Sequence, residues 1–451
     1  MLYPILDYTD FMQQALPKVT EEGFGDGCFM SLIALLVFAL GKVAIEGTFG
    51  KPTVTKDGSL GGMRGSLSGI RGGTADEPPA LDIFNEAQRR LGFVISHICL
   101  ETAQILLLKA TYFEACLRHI DFWRTTVMAS EAIQIILKRP IEWTSHNGDM
   151  IKRAYWVCNI IEGWYHVDLD LPQTGISEYQ DDIPLPLFPE QLEHRVDYEP
   201  SPFKDKRTHY QYNFLGMIAI RRLIDRINNE LYNVSNPEPR EGYAEPPIRV
   251  IKELDHQLKS WRSHLPQPLQ WSDEQRTQYV GHDPLTDLPS LMQFTVDRDG
   301  DQFYHIYNID VIIAQLRGRF YYCRFMIYRP FLYKALHFPE RMTAEDIEYC
   351  TIGLDSCLLW PVCMWPVKNK KRLIPNIFAW TQSFLGILLV LRIAAEDTVL
   401  KQIWETQLLN QHVQDSIEMM LYWMRDMQQV DGIAEWSWKI LEPLYEGVHF
   451  G

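Results

Sequence analysis

The stretch "YQYNFLGMIAIRRLIDRINNEL", residues 210–231, decides how this chain is read. Tyr210, Phe214, Met217, Ile220, Ile224, Ile227 and Leu231 recur at steps of three and four. A helix gathers such positions on one face, whereas a strand scatters them over both. The same spacing returns at Ile251, Leu254, Leu258 and Trp261, after Pro246-Pro247, a pair suited to a helix start. It returns again at Val413, Ile417, Met420, Leu421 and Met424. Thr343 has an N-capping side chain, and Glu345 and Asp346 follow where negative charge meets the positive end of a helix. No series of alternating apolar and polar residues, no fixed-period repeat and no strand–helix–strand rhythm accompanies these stripes. The sequence predicts an all-α fold, a large multi-helix body.

A single domain over residues 1–451 is expected, with three interruptions. A flexible glycine-rich loop runs from about 46 to 80; Gly47 to Gly73 in particular mixes glycine with Ser and Thr and offers little apolar surface to bury. A proline-rich acidic crossover occupies about 181–202, and a further loop about 265–289. At 46% hydrophobic and 12% aromatic residues, the remainder can fill a sizeable core. The apolar runs Phe29 to Leu40 and Phe384 to Leu391 fall short of the roughly 20 residues a bilayer span needs and read as buried helices.

Charge and cysteine usage exclude several functions. A net charge of −15 opposes the phosphate neutralisation that drives nucleic-acid binding. The nearest approach to a basic run, Lys368, Lys370, Lys371 and Arg372, reads as a solvated loop. Cys28, Cys99, Cys116, Cys158, Cys323, Cys350, Cys357 and Cys363 lie in apolar surroundings with no Cys-x-x-Cys pair, as reduced core thiols of an intracellular, unsecreted protein do.

Each chemical constellation has a plainer reading. "YHVDLDLP", residues 165–172, would place His166, Asp168 and Asp170 on one face of a strand as a metal or acid–base set. A helix continuing from Trp156 separates them, and Pro172 ends the run, which leaves helix-exit groups. "DRDGDQFYHIYN", residues 297–308, begins like a calcium loop, but Gln302 and Asn308 stand where Gly and Glu are required. Cys116 and His119, three apart on an expected helix, lack the second ligand pair of a zinc site, as do His97 and Cys99. "GSLSG", residues 65–69, has Leu67 where a nucleophilic Ser would sit. Asp181-Asp182 lies beside prolines, with Leu185 where a magnesium-binding helix needs a third Asp. No catalytic residue, metal ligand or cofactor contact emerges.

An ordered series of landmarks carries a resemblance. "YPILDYTDF" (residues 3–11) followed by "SLIALLVFALG" (31–41) resembles the opening of the regulatory, middle homology domain of fungal Zn2Cys6 binuclear-cluster transcription factors. Leu100, Glu101, Thr102, Gln104, Trp123 and Ala132 are similar to that family's central helical hairpin. Lys152, Arg153, Tyr155 and Trp156, then Leu171-Pro172, Ile176, Asp182-Ile183, Leu185 and Pro186, resemble its most recognisable segment. Glu162-Gly163 and Asp170-Leu171 depart from the family's Asp-Arg and Gly-Arg. "FMIYRPFL" (325–332) has Tyr328 for the family's His, Cys350 suits the Cys that follows, and "WSWKILEPL" (436–444) resembles the closing helix.

The resemblance implies transcription regulation in the nucleus by a non-enzymatic helical body, through dimerisation or protein partners and in response to a small-molecule effector. The zinc cluster would belong to an N-terminal module that this chain lacks, so neither zinc nor direct DNA binding is expected of it, and no membrane association. A non-DNA-binding scaffold or adaptor on the same fold is the alternative. An effector pocket would be lined by Trp123, Trp156, Trp164 and Tyr165, unless those rings are simply core.

Overall fold

The computed structural model describes residues 3–51, 70–73, 77–169, 171–188, 202–232, 245–271, 273, 309–363, 371–408, 410–428 and 430–446. Most of the glycine-rich loop, the later crossover, the loop beyond residue 273, the acidic segment 297–308, Lys368 and Lys370 lie outside them. Among the described residues every regular element is a helix, which establishes the all-α fold. They fall into two compact units: Met1–Asp205 with Asn369–Trp380 and Gln429–Gly432, and Lys206–Lys368 with Thr381–Gln428 and Ile433–Gly451.

The first unit begins with α1 (Tyr8–Asp10), a π turn (Phe11–Ala15) and α2 (Leu16–Glu22). It continues with α3 (Phe29–Phe49), α4 (Leu81–Val94), α5 (Leu100–Ala115), α6 (His119–Leu137) and α7 (His146–Leu169). α5 is its centre, packing on α3, α6 and α7. Ala103, Ile105, Leu106, Leu107, Leu108 and Ala110 bury every side of it, as a helix apolar all round must be. α5 and α6 form the expected hairpin. Leu117, at φ 61, closes α5 in the left-handed conformation. Its N–H donates to Glu114 O at 2.9 Å and that of Arg118 to Phe113 O at 2.9 Å, the double bond of a Schellman cap with leucine where glycine is usual. Cys116 and His119 are therefore split by a turn rather than sharing a helix.

α7 runs unbroken to Leu169, so "YHVDLDLP" is a helix end, with His166 Nδ1 3.1 Å from Leu171 O. The side chain of Asp168 and all of Asp170 lie outside the described residues. Glu162, where the family has Asp, accepts from the Thr174 N–H at 2.7 Å and pins the segment after α7. Lys152 and Arg153 are buried beside Asp149, whose carboxylate also accepts the backbone N–H of Leu187 at 2.7 Å.

For Lys371 and Arg372, the described part of the basic run, burial corrects the solvated-loop reading. Lys371 is fully buried and Arg372 is 7% exposed. The Arg372 guanidinium donates to the carbonyls of Arg71, Gly73 and Ala115, each at 2.7 Å, and so ties the far end of the glycine-rich stretch to the end of α5. Adjacent carbonyls left without water need such a donor, and a planar fork supplies three at once.

The second unit contains α8 (Pro202–Leu231), α9 (Ile248–Ser263), α10 (Ile309–His337), α11 (Ala344–Val362), α12 (Ile377–Ala394), α13 (Thr398–Gln407), α14 (Asn410–Met427) and α15 (Gly432–Tyr445), the first, fifth and eighth from Lys206, Thr381 and Ile433 on. The stripe that opened the sequence reading is the core face of α8: Phe214, Met217, Ile220, Ile224 and Ile227 are buried. α10 and α11 pack along their lengths, with α9 against α10 and α14 against α11. Thr343 and Asp346 form a reciprocal capping box at the start of α11. α3 and α12, 21 and 18 residues long, are long and apolar enough to cross a bilayer, which the shorter apolar runs alone did not suggest. In this fold α3 packs against α4 and α5 within the first unit, and Phe384, Ile387, Leu388 and Leu391 of α12 are core residues.

Candidate functional site

A cavity of about 530 Å³ lies within the second unit, a size usual for small-molecule pockets. α9 supplies Asp255, Lys259 and Arg262, which fall on one face because they are spaced by four and three residues. Trp271 and Asp273 follow α9, while α10 contributes Phe320, Arg324 and Tyr328.

Arg262 organises the pocket. It donates to Asp273 at 2.7 Å and to the Trp271 carbonyl at 2.8 Å. Its guanidinium lies 4.6 Å from the Trp271 ring centre and 5.0 Å from that of Phe320. Burial would raise the Asp273 pKa, but hydrogen bonds from Arg262 and the Tyr321 hydroxyl hold the carboxyl below its usual range. Lys259 pairs with Asp255 at 2.5 Å and Arg324 with Asp355 at 2.8 Å. Burial, with Asp255 beside it, pushes the Tyr328 phenol up, so that hydroxyl stays protonated as a donor. The lining thus joins three cations and two carboxylates to the rings of Trp271, Phe320 and Tyr328. Such a surface grips a flat ring and an anionic group together.

A second concavity of about 810 Å³ runs beside α8 and α9, past Gly216, Ala219, Arg222, His256 and Trp261. The Trp261 indole donates to Gly216 O at 3.0 Å, and a Cβ at Gly216 would sit 3.3 Å from Leu265, so the glycine keeps this approach uncrowded. Its lining also carries Arg222, Arg226, Glu253 and His256, within a more apolar wall than that of the first cavity.

The residues expected to line an effector pocket lie in the first unit. Trp156, Trp164 and Tyr165 are buried at 0%, 3% and 1% exposure, and Trp123 is half-buried on α6. Trp156 donates to Pro184 O at 3.2 Å, and Tyr165 stacks on Phe378 with ring centres 5.6 Å apart. Three of the four therefore serve as packing. Among the described residues no group of three or more His, Cys, Asp or Glu is placed to hold a metal ion. Sequence reasoning passed over Asp255, Lys259 and Arg262, although their charged stripe beside the apolar stripe of α9 was legible. Trp271 and Phe320, far apart in sequence, gave no such signal.

The described residues thus form an all-helical body with a cavity of ligand size in its second unit. A family model, the fungal specific transcription factor domain, matches residues 1–263, and the chain belongs to that family. It is a family of transcription-factor regulatory domains, not of enzymes. The stretches 325–332 and 436–444 lie beyond the matched residues. No curated protein and no solved structure matches the chain.

Proposed function

We propose that this chain is the regulatory part of a nuclear transcription regulator whose output is set by a small planar anionic molecule bound in the Arg262 pocket. The two units act together as one regulatory domain, and the molecule works as a homodimer or with protein partners. DNA contact, zinc and membranes play no part in this chain's own action; its net charge of −15 supports the first of these.

The observation that carries the effector reading is the convergence of Lys259, Arg262 and Arg324 on a cavity walled by Trp271, Phe320 and Tyr328. A carboxylate can displace Asp255 from Lys259 while a ring lies against Trp271, with Arg262 and Arg324 already held in place by Asp273 and Asp355. Thermal melting of the full chain with a panel of aromatic and heterocyclic carboxylic acids tests this. At about 100 times its dissociation constant, a true ligand adds roughly 2.7 kcal/mol of stability, a shift of several degrees. Lys259→Gln, at an exposed side chain, should reduce that shift without lowering the unliganded melting temperature. No shift with any acid, or a shift unchanged in Lys259→Gln, overturns the reading.

A further inference from the structure

α6 turns an unusual face outward. Its exposed residues are Ile120, Arg124, Met128, Glu131 and Ile135, which share an arc of about 80° at 3.6 residues per turn. Three of the five are large and apolar, with Ile120 at 52%, Met128 at 41% and Ile135 at 44% exposure. The opposite face is already occupied: Phe122, Ala129, Ala132, Ile133 and Ile136 are buried, where α6 packs on α5 and α7. Half-buried Val127 lies just outside this arc, next to Ile120.

The charges within this stripe are as telling as its apolar residues. Neither the Arg124 nor the Glu131 side chain forms an ion pair or hydrogen bond with another described residue. Asp121, one turn before Arg124, is taken by Arg118 at 2.6 Å. Arg124 and Glu131 are two turns apart on the same helix, about 10 Å along its axis, too far to pair with each other.

We infer that this face docks against the same face of a second copy, α6 lying antiparallel on α6 about a two-fold axis between Val127 and Met128. That axis brings Ile120 opposite Ile135 of the partner subunit and Arg124 opposite the partner's Glu131, with Met128 beside the axis. By symmetry each contact occurs twice, and the two charges, unpaired among the described residues, find two ion pairs in the dimer. A stripe matching itself in both apolar content and charge sign favours a second copy over an unrelated protein, for which no such internal match is needed. The assignment rests on the homodimer reading proposed above and gives it a surface.

Charge reversal tests the pairing by sedimentation of the full chain. The wild type should sediment as a concentration-dependent dimer. Arg124→Glu sets two carboxylates against each other, and Glu131→Arg two cations, so each alone should weaken the dimer by about tenfold or more. Mixed in equal amounts, the two variants can form heterodimers with both ion pairs restored, and the mixture should recover wild-type association. The double variant R124E/E131R should recover it as well. Recovery on mixing also rules out misfolding as the cause of the loss. If single reversals leave the dimer unchanged, or the mixture stays dissociated, α6 is not the contact, while a wild-type dimer would still stand. A wild type that remains monomeric at every concentration overturns both the surface and the homodimer.

Discussion

At the scale of single residues, the first unit is held by a few buried polar groups that composition could not reveal. Glu114 is fully buried on α5, and burial raises its carboxyl pKa to about 8 despite the bond it accepts from the Asn376 N–H. Protonated in the fold but ionised in the unfolded chain, this group favours folding fully only below about pH 4.5. That contribution is lost as pH rises towards 8. Glu114→Gln keeps an acceptor without the charge. It should leave stability at pH 5 nearly unchanged and raise it at pH 8.5 by on the order of 2 kcal/mol, read from denaturant melts at the two pH values. Arg372 makes a complementary case. Arg372→Lys keeps the charge but cannot reach three carbonyls, and chemical unfolding should show a loss of about 3 kcal/mol. From sequence, Arg372 looked like part of a solvated run because hydropathy places a charged residue outside; only its three long-range partners bring it in. Trp156, Trp164 and Tyr165 are buried for the converse reason, since large rings fill cores as readily as they line cavities.

Among the elements, what was legible was whatever depends on neighbours three and four residues away. The core faces of α8 and α9 and the N-cap at Thr343 follow from local spacing, and the structure buries Phe214, Ile220, Leu254 and Leu258 where that spacing puts them. The cap is reinforced by Lys334, which binds Asp346 at 2.9 Å and Glu245 at 2.6 Å. Thr343→Ala removes one half of the reciprocal box and should cost about 1 kcal/mol in denaturant unfolding. Its loss should exceed that of an exposed Thr→Ala elsewhere, such as at Thr406 within α13. The pocket was only half legible. Asp255, Lys259 and Arg262 are one local pattern, but Phe320, Arg324 and Tyr328 join them through helix packing across a long stretch of chain. Tyr328 is also where the family resemblance expected His, so the chain's departure from that pattern falls on the pocket wall.

For the whole molecule, the first unit is assembled from three separate lengths of chain: Met1–Asp205, Asn369–Trp380 and Gln429–Gly432. The two short pieces supply Arg372, the backbone amide of Asn376 and Asp431, whose carboxylate lies 3.0 Å from His119 Nε2 with both side chains buried. Expression of residues 1–263 alone should therefore give a loosely packed product, with near-ultraviolet circular dichroism lost while much of the helical far-ultraviolet signal persists. Adding residues 369–432 in trans should not be needed for the full chain, which should show both signals. The family model ends at residue 263, yet the physical body it matches is completed by chain more than a hundred residues further on. A border drawn by likeness between sequences is thus no guide to where a gene can be cut. Any swap, fusion or deletion that treats residue 263 as a seam removes the lock from one part and leaves it stranded in the other.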